Sequence, residues 1–544
     1  ERRVGIAVMM NPLFLRYWRS RLRPKALIAW TTMTLIITLF VFFTSHWAGT
    51  DQLDMDPKAA ARLPIIPLLM MQGVILFFLG TGAVASGMTA EEDEGVIDYQ
   101  RLVPMKPISK VVGYLLGLPV REWVLFLITL PFSFWCFWQG GISFEVFGEL
   151  YAVVVSTALL YHMTALLAAT VMKNRRLAFL GSMSLIFALY TAMPAAGSLG
   201  LVAFEYVTIT PTVVQFFPKL TEIPGSEPLD GGMARFFGFI MPHSRFTLIS
   251  QGAYLLIMGT MLWRRWRQPD CHLLGKFGAL VSFGWMQAIL LGTSLPLIAG
   301  GQIFPMNSLS ILTVGAVRTP SPERKPDVFE GEVMIGFYGL MTLALLWVWT
   351  SMIAPSPMVQ RKGWQRAAKL GQSRLPYGSD AAGAGIPVTL MSVMGAGAWC
   401  LFSRELFQSE WFPETTISRA SPFAMFLVAG TGGLLIQQLT EKKGRKAAMG
   451  FLGALIILPF MAIIMMSVLK SQPGEMEGWI VAFSPLAWPF FAAKISLVGI
   501  GAYGSSPLPF WIAQGVMLFW WLRLLRKPRF QDFSQAGSAD ISVS

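Results

Sequence analysis

Long apolar segments recur along the whole chain, and they constrain its fold more than any other feature. A helix needs about 20 mostly apolar residues to cross the hydrocarbon core of a bilayer. Twelve segments reach or approach this length: 26–44, 64–85, 115–138, 149–172, 177–197, 244–263, 278–299, 332–354, 386–403, 422–438, 447–469 and 507–525. The sequence therefore predicts an all-α, polytopic membrane protein with about twelve transmembrane helices.

The composition also indicates a membrane protein, and the placement of its basic residues argues against a nucleic-acid partner. Hydrophobic residues make up 54% of the 544 residues and charged residues only 13%, whereas about a quarter of a soluble domain is charged. The net charge of +13 could indicate a nucleic-acid partner. The basic residues, however, stand in short clusters at the ends of apolar segments rather than along one soluble face. We therefore expect a lipid bilayer around the chain and no nucleic acid.

The distribution of Lys and Arg predicts the orientation of the spans. If the N-terminus is cytoplasmic, 30 of the 43 basic residues fall in cytoplasmic segments, as the positive-inside rule requires. We therefore expect a multi-pass protein of the cytoplasmic (inner) membrane with both termini in the cytoplasm. The arginines before the first apolar segment predict a cytoplasmic anchor rather than a cleavable signal peptide.

A polar, acidic segment, residues 87–110, separates the second and third spans. Thr89 and Glu92 have the spacing of a capping box, which predicts a helix that begins near Ala90 and ends before Pro104. Acidic residues at its start would lie at the positive end of the helix dipole. Because the loop is polar, we expect none of these carboxylates to be needed for folding. The alternative interpretation is a solvated connecting loop.

Several motifs around this segment resemble permease subunits of ABC-2 type transporters. They are a span followed by acidic residues and a glycine, then Val103-Pro104, a basic residue, and Gly113-Tyr-Leu-Leu-Gly117 at the opening of the next span. Asn11-Pro12, followed by Arg16, Arg19, Arg21 and Arg23, is also similar to those permeases. The resemblance covers residues 1–270 and is weaker beyond them.

This resemblance implies a function and a partner. In that family the loop between spans two and three carries a coupling helix that docks on a separate cytoplasmic ATPase subunit. For this chain it implies a permease subunit that is not itself an enzyme, with a coupling helix at about 90–103. The implied coupling residues are Glu91, Glu92, Asp93, Glu94, Val96, Ile97, Asp98 and Arg101. The sequence has no G-x-x-x-x-G-K-[ST] phosphate loop, so we expect no cofactor in this chain and ATP on the partner subunit.

Weak internal similarity predicts two six-span halves, 1–270 and 271–528, followed by a disordered tail at 529–544. Phe246 to Gly252 before Arg264 is echoed by Phe510 to Gly515 before Arg523. Apolar but proline-interrupted stretches at 198–243 and 479–501 predict external re-entrant segments. The transport path would then form in a pseudo-dimer of the halves or in a homodimer.

Few side chains indicate chemistry. His162 falls within a span, where it either marks a transport pathway or bonds, as a neutral imidazole, to a neighbouring helix. The four histidines are too dispersed for a metal site. Asp54 and Asp56 form either a turn before a helix or a divalent-ion site, as in glycosyltransferases that use lipid-linked sugars. A secondary transporter driven by an ion gradient is the other alternative, although charged residues within spans are scarce.

The predicted orientation can be tested by labelling thiols in intact cells. Because Cys271 follows a basic cluster, an impermeant reagent should leave it unreactive. A cysteine introduced at Thr50 or Ser226, in the predicted external loops, should react. Labelling of Cys271 from outside the cell would contradict both the orientation and a cytoplasmic position of the acidic segment.

Overall fold

The computed structural model describes most of the chain. The described residues are 11–171, 174–192, 196–197, 199–221, 232–268, 271–299, 328–372, 374–409, 418, 420–469, 475–496 and 507–526. The predicted tail at 529–544 lies outside them. The chain divides into two compact units, Glu1–Leu273 and Leu274–Ser544.

Unit 1 consists of helices, a short 3₁₀ turn and one small hairpin. The helices are α1 (Pro12–Arg21), α2 (Pro24–Trp47), α3 (Pro57–Asp93), α4 (Val96–Leu102), α5 (Pro107–Gly117), α6 (Val120–Gln139), α7 (Phe144–Val171), α8 (Arg175–Thr191), α9 (Thr210–Thr221) and α10 (His243–Arg267). A 3₁₀ turn covers Val202–Val207, and strands β1 (Met233–Phe236) and β2 (Phe239–Pro242) pair antiparallel, with Met233 opposite Pro242.

All the regular elements among the described residues of unit 2 are helices. Its helices are α11 (Lys276–Ala299), α12 (Val328–Ile353), α13 (Pro357–Lys369), α14 (Gly385–Gln408), α15 (Ala420–Lys443), α16 (Arg445–Leu469), α17 (Glu475–Ala482), α18 (Trp488–Ser496) and α19 (Leu508–Arg526).

Eleven of the described helices are long and apolar enough to cross a membrane, so the chain is a multi-pass helical membrane protein. The predicted span at 177–197 is the exception, because the apolar helix there covers only Arg176–Thr191. Pro194 follows three residues later, and a proline disfavours helix at the residue before it. The predicted third span also begins later, at Val120, because Leu118-Pro119 separates α5 from α6.

The two stretches predicted as re-entrant contain short elements. The described part of 479–501, residues 479–496, includes the end of α17 and all of α18, separated by a turn at Pro485. Residues 198–243 include the 3₁₀ turn, α9 and the hairpin. Their position relative to a membrane remains a prediction.

The fourth long helix of each half organises its unit. In unit 1, α7 packs against α3, α6, α8 and α10, and in unit 2, α15 packs against α12, α14, α16 and α19. By contrast, α2 and α16 leave most of their apolar side chains exposed. Such surfaces suit lipid chains, which solvate apolar side chains as well as protein does.

Helix α3 changes its winding where α7 crosses it. Residues Val74–Gly80 form a π-helix between α-helical stretches, and His162 on α7 contacts the Leu76 carbonyl at 2.9 Å through Nε2. A methyl group at Gly80 would lie 2.5 Å from this nitrogen. Glycine therefore provides the space for the imidazole beside the π-helix.

A buried polar network stabilises the same helix one turn before the π-helix. The Gln72 amide donates to the hydroxyls of Thr129 and Ser133, both at 2.9 Å, and its oxygen accepts from the Tyr151 hydroxyl at 2.8 Å. Every polar group of the Gln72 side chain is thus bonded, as a buried amide requires. The network fixes α3 against α6 and α7.

We expect Gly80→Ala to destabilise the protein by about 1–3 kcal/mol, because the new methyl group would displace the His162 ring. Thermal unfolding in detergent measures the effect. Gly252→Ala on α10 is the matched control, because a Cβ there meets nothing within 4 Å, and alanine favours helix. His162→Ala should relieve the defect in the double variant. Equal stability of the Gly80→Ala and Gly252→Ala variants would show that the imidazole does not need this space.

Candidate functional site

The capping-box spacing predicted that a new helix begins in the acidic segment near Ala90, and this prediction is wrong. Helix α3 continues through Thr89 to Asp93, and the Thr89 hydroxyl donates within it to the Ala85 carbonyl at 2.9 Å. Glu91, Glu92 and Asp93 therefore lie at the negative end of a helix dipole, opposite to the predicted end. Burial of Val84, Ala85 and Met88 holds this turn in α3, and this packing outweighs the local signal.

A turn at Gly95 ends α3 and starts α4. Gly95 has φ +72°, and the amides of Glu94 and Gly95 donate to the carbonyls of Ala90 and Glu92 at 3.0 and 3.1 Å. This is a common helix end, in which glycine adopts the left-handed conformation at no steric cost. The predicted helix at about 90–103 is therefore two helices, of which only α4, Val96–Leu102, lies wholly within the loop.

Helix α4 has a buried side and an exposed side. Ile97 and Gln100 are buried, whereas Asp98 is exposed and bonded to Arg101, Nη1 to Oδ1, at 2.6 Å. Tyr99 and Leu102 are 68% and 82% exposed. Among the other predicted coupling residues, Glu92, Asp93 and Glu94 are exposed and Val96 is half-buried. We call Asp93, Glu94, Asp98, Tyr99 and Leu102 the α4 surface.

Lys110 on α5 fixes the end of α4. Its Nζ is buried and donates to the carbonyl of Gln100 at 2.7 Å and that of Arg101 at 3.5 Å, which lack partners within the helix. The ammonium also lies 5.8 Å from the centre of the Trp266 ring, over its face. Burial, and secondly the charge of Arg101, lower the pKa of Lys110. Sequence reasoning missed this residue.

Glu91 is buried, unlike the acidic residues that follow it. It accepts hydrogen bonds from the hydroxyls of Tyr17 at 2.5 Å and Tyr114 at 2.7 Å, and it pairs with Arg16 at 3.0 Å. We call these four side chains the Glu91 cluster. The expectation that no carboxylate of this segment is needed for folding assumed that all of them lie in a polar loop, and this premise is wrong for Glu91. We therefore expect lysine at this position to be destabilising, because it would place a positive charge beside buried donors.

The two tyrosines are held as hydrogen-bond donors. Burial, and then its bond to Glu91, raise the pKa of Tyr114. The pKa of Tyr17 is raised by burial first and by the neighbouring Tyr114 second. Both hydroxyls therefore stay protonated, and each donates a hydrogen bond to the Glu91 carboxylate. Bonds of this kind, to a charged acceptor, are stronger than bonds between neutral groups.

Two glycines bring α1 close to α5. A methyl group at Gly113 would lie 2.8 Å from Leu13 Cβ, and one at Gly117 would lie 2.7 Å from the Tyr17 ring. At the start of α1, the Asn11 amide donates to the Ser109 hydroxyl at 3.3 Å. The motif Gly113 to Gly117, which was predicted to open a span, therefore forms the surface through which α5 contacts α1. Its glycine-x-x-x-glycine spacing was the available signal.

The remaining candidate residues make local contacts, and a pathway role of His162 stays a prediction. His162 bonds to a carbonyl of a neighbouring helix, as described above, and its ring also lies edge-on to Trp123. Asp56 accepts from the Lys58 amide at 3.3 Å and so caps α3, while Asp54 has φ +45°. Among the described residues, no group of three or more His, Cys, Asp or Glu could hold a metal ion.

We expect Glu91→Gln to destabilise the protein by about 1–3 kcal/mol, because the neutral amide weakens three charge-assisted bonds. Glu94→Gln is the control, since Glu94 is exposed and should change stability by less than about 0.5 kcal/mol. Thermal unfolding of the two variants in the same detergent provides the comparison. Similar unfolding temperatures would mean that the cluster contributes little to stability.

The chain was also compared with known proteins. It matches no protein-family model, no curated protein and no solved structure. Its resemblance to ABC-2 type permeases therefore rests on the motifs in its sequence, and any assignment of function depends on the geometry of the α4 surface and the Glu91 cluster.

Proposed function

We propose that the chain is the membrane-spanning permease subunit of an ATP-driven, ABC-2-like transporter, and that the α4 surface binds a separate cytoplasmic ATPase subunit. The observation that carries this proposal is the form of α4. It is a short helix, exposed on one side, that follows directly from a membrane-crossing helix and is fixed by buried contacts on its other side. If a partner displaces a helix of this kind, the displacement is transmitted to the membrane-crossing helices packed behind it.

The composition of the α4 surface suits a protein partner. It combines three exposed carboxylates, those of Asp93, Glu94 and Asp98, with the exposed side chains of Tyr99 and Leu102. Tyrosine is enriched in protein interfaces, and peripheral charges steer association and select partners. We therefore expect a partner with an apolar pocket and a basic rim.

Contacts behind α4 provide a route for movement into the membrane. Ile97 belongs to a buried cluster with Met88 of α3, Tyr114 of α5 and Trp266 of α10. Lys110 fastens the other end of α4 to α5. A partner that closes around ATP and displaces α4 would move these helices with it, and α3 extends the displacement to the π-helix beside α7.

The remaining parts of the proposal come from the sequence. They are a cytoplasmic (inner) membrane location, cytoplasmic termini, two duplicated six-span halves, re-entrant external segments, and ATP hydrolysis on the partner. The similar packing of α7 and α15 within their units supports the duplication. Substrate and direction of transport are left open.

The proposal predicts that Asp93→Lys/Asp98→Lys leaves the protein folded but abolishes its association with an ATPase. The two carboxylates are exposed, whereas like charges brought together in an interface cost several kcal/mol. The measurement is purification from native membranes, with identification of copurifying chains that carry a phosphate loop and assay of ATP hydrolysis. Wild type should copurify with ATPase activity and the variant without it.

The matched control is Asp51→Lys/Glu145→Lys, which reverses two exposed carboxylates in predicted external segments. It should copurify as wild type does. Retention of the ATPase by the α4 variant would refute docking through this surface. Transport by the purified chain alone, driven by a proton or sodium gradient, would instead establish the secondary transporter.

A further inference from the structure

Helix α13 in unit 2 lies beside the end of a membrane-crossing helix. It begins at Pro357, four residues after α12 ends, and the Ser356 hydroxyl caps it by accepting from the Val359 amide at 3.5 Å. Gln360 and Ala367 are buried. The helix is therefore anchored along one side, and the residues of its opposite side are exposed.

The outward side of α13 is strongly basic. Arg361, Lys362, Arg366 and Lys369 are all exposed, and the helix contains no acidic residue. Two apolar side chains accompany them, Met358 at 65% and Trp364 at 43% exposure. Basic residues combined with exposed Trp and other apolar side chains are typical of helices that lie in the membrane interface.

The turn between α15 and α16 extends this basic surface. A methyl group at Gly444 in this turn would lie 3.9 Å from Pro357, the first residue of α13. The guanidinium of Arg445 donates to the Ser351 carbonyl at 2.9 Å, near the end of α12. We call the exposed residues Arg361, Lys362, Arg366, Lys369, Lys443, Arg445 and Lys446 the basic patch.

The two segments that contribute the basic patch contain few acidic residues. Residues 354–385 and 440–450 contain nine basic residues but only Asp380 and Glu441 as acidic residues. Glu441 is buried and accepts from the Ala384 amide at 2.7 Å. The patch therefore presents net positive charge.

We propose that the basic patch binds the headgroups of anionic phospholipids. Helix α12 ends here, and α15 and α16 meet here; all three are long and apolar enough to cross the membrane, so the patch lies at headgroup depth. Clusters of Lys and Arg immediately beside a membrane-crossing helix attract anionic lipids. Met358 and Trp364 add apolar contact with the upper acyl chains. An acidic protein surface is the competing occupant.

Lipid exchange on the full-length protein tests this proposal. The protein is purified in a neutral detergent and mixed with equal amounts of phosphatidylglycerol and phosphatidylcholine, and the retained lipids are counted by native mass spectrometry. Wild type should retain phosphatidylglycerol at least tenfold more than phosphatidylcholine. The variant Arg361→Gln/Lys362→Gln/Arg366→Gln/Lys369→Gln should lose most of this preference, since it removes four exposed positive charges from the patch.

A pair of double variants provides the matched control. Lys362→Gln/Arg366→Gln removes two charges from the patch. Lys58→Gln/Arg404→Gln removes two exposed charges that lie in or beside the predicted external loops, away from the patch. The first should lower the phosphatidylglycerol preference several-fold more than the second. Thermal unfolding without added lipid confirms that each variant is folded.

Two results would overturn the proposal. One is an unchanged lipid preference in the folded quadruple variant. The other is loss of a copurifying acidic protein from that variant while its lipids stay the same, which would assign the patch to a protein. The test is independent of ATPase docking, because it requires neither ATP nor the α4 surface.

Discussion

The end of unit 1 that carries α4 depends on one buried carboxylate. Glu91 sits where α3 ends, and its hydrogen-bond donors come from α1 and α5. Removing a carboxylate from water is costly unless donors replace the lost hydration. The three helices must therefore meet with their donors aligned, and this requirement fixes the frame on which α4 is mounted. Asp93 and Glu94 are exposed, so water can solvate their carboxylates.

Two kinds of helix support the proposed transport function. The long helices follow from their apolar side chains, because the hydrocarbon core offers no hydrogen-bond partners and a helix bonds its backbone polar groups within its own segment. The short helices α1, α4, α5 and α13 are amphipathic or capped, and each is placed by contacts with the ends of long ones. A soluble partner or a lipid headgroup can reach these short helices and the adjoining ends of the long ones, and the two surfaces proposed above as binding sites lie there.

The sequence was sufficient for the features that depend on one segment at a time. Eleven of the twelve predicted spans correspond to described helices long and apolar enough to cross a membrane, the exception being 177–197, because an apolar run of about 20 residues favours a helix in a bilayer. The features that failed depend on distant residues. Thr89 and Glu92 have a capping spacing, but Met88 and its buried neighbours hold that turn within α3. The burial of Glu91 requires Tyr17, 74 residues earlier, and no local pattern indicates that pairing.

The Glu91 cluster also has a consequence for biogenesis. Tyr17 precedes the first span, whereas Tyr114 follows the second, so the cluster cannot close until both spans have been synthesised. At the usual rate of synthesis the interval between these two residues lasts roughly 5–20 s. During this time we expect the face of α1 that is buried in the folded protein to remain uncovered. Completion of the cluster would then mark the moment at which the first two spans are locked together, and a nascent chain that lacks Glu91 would remain open to quality-control proteases.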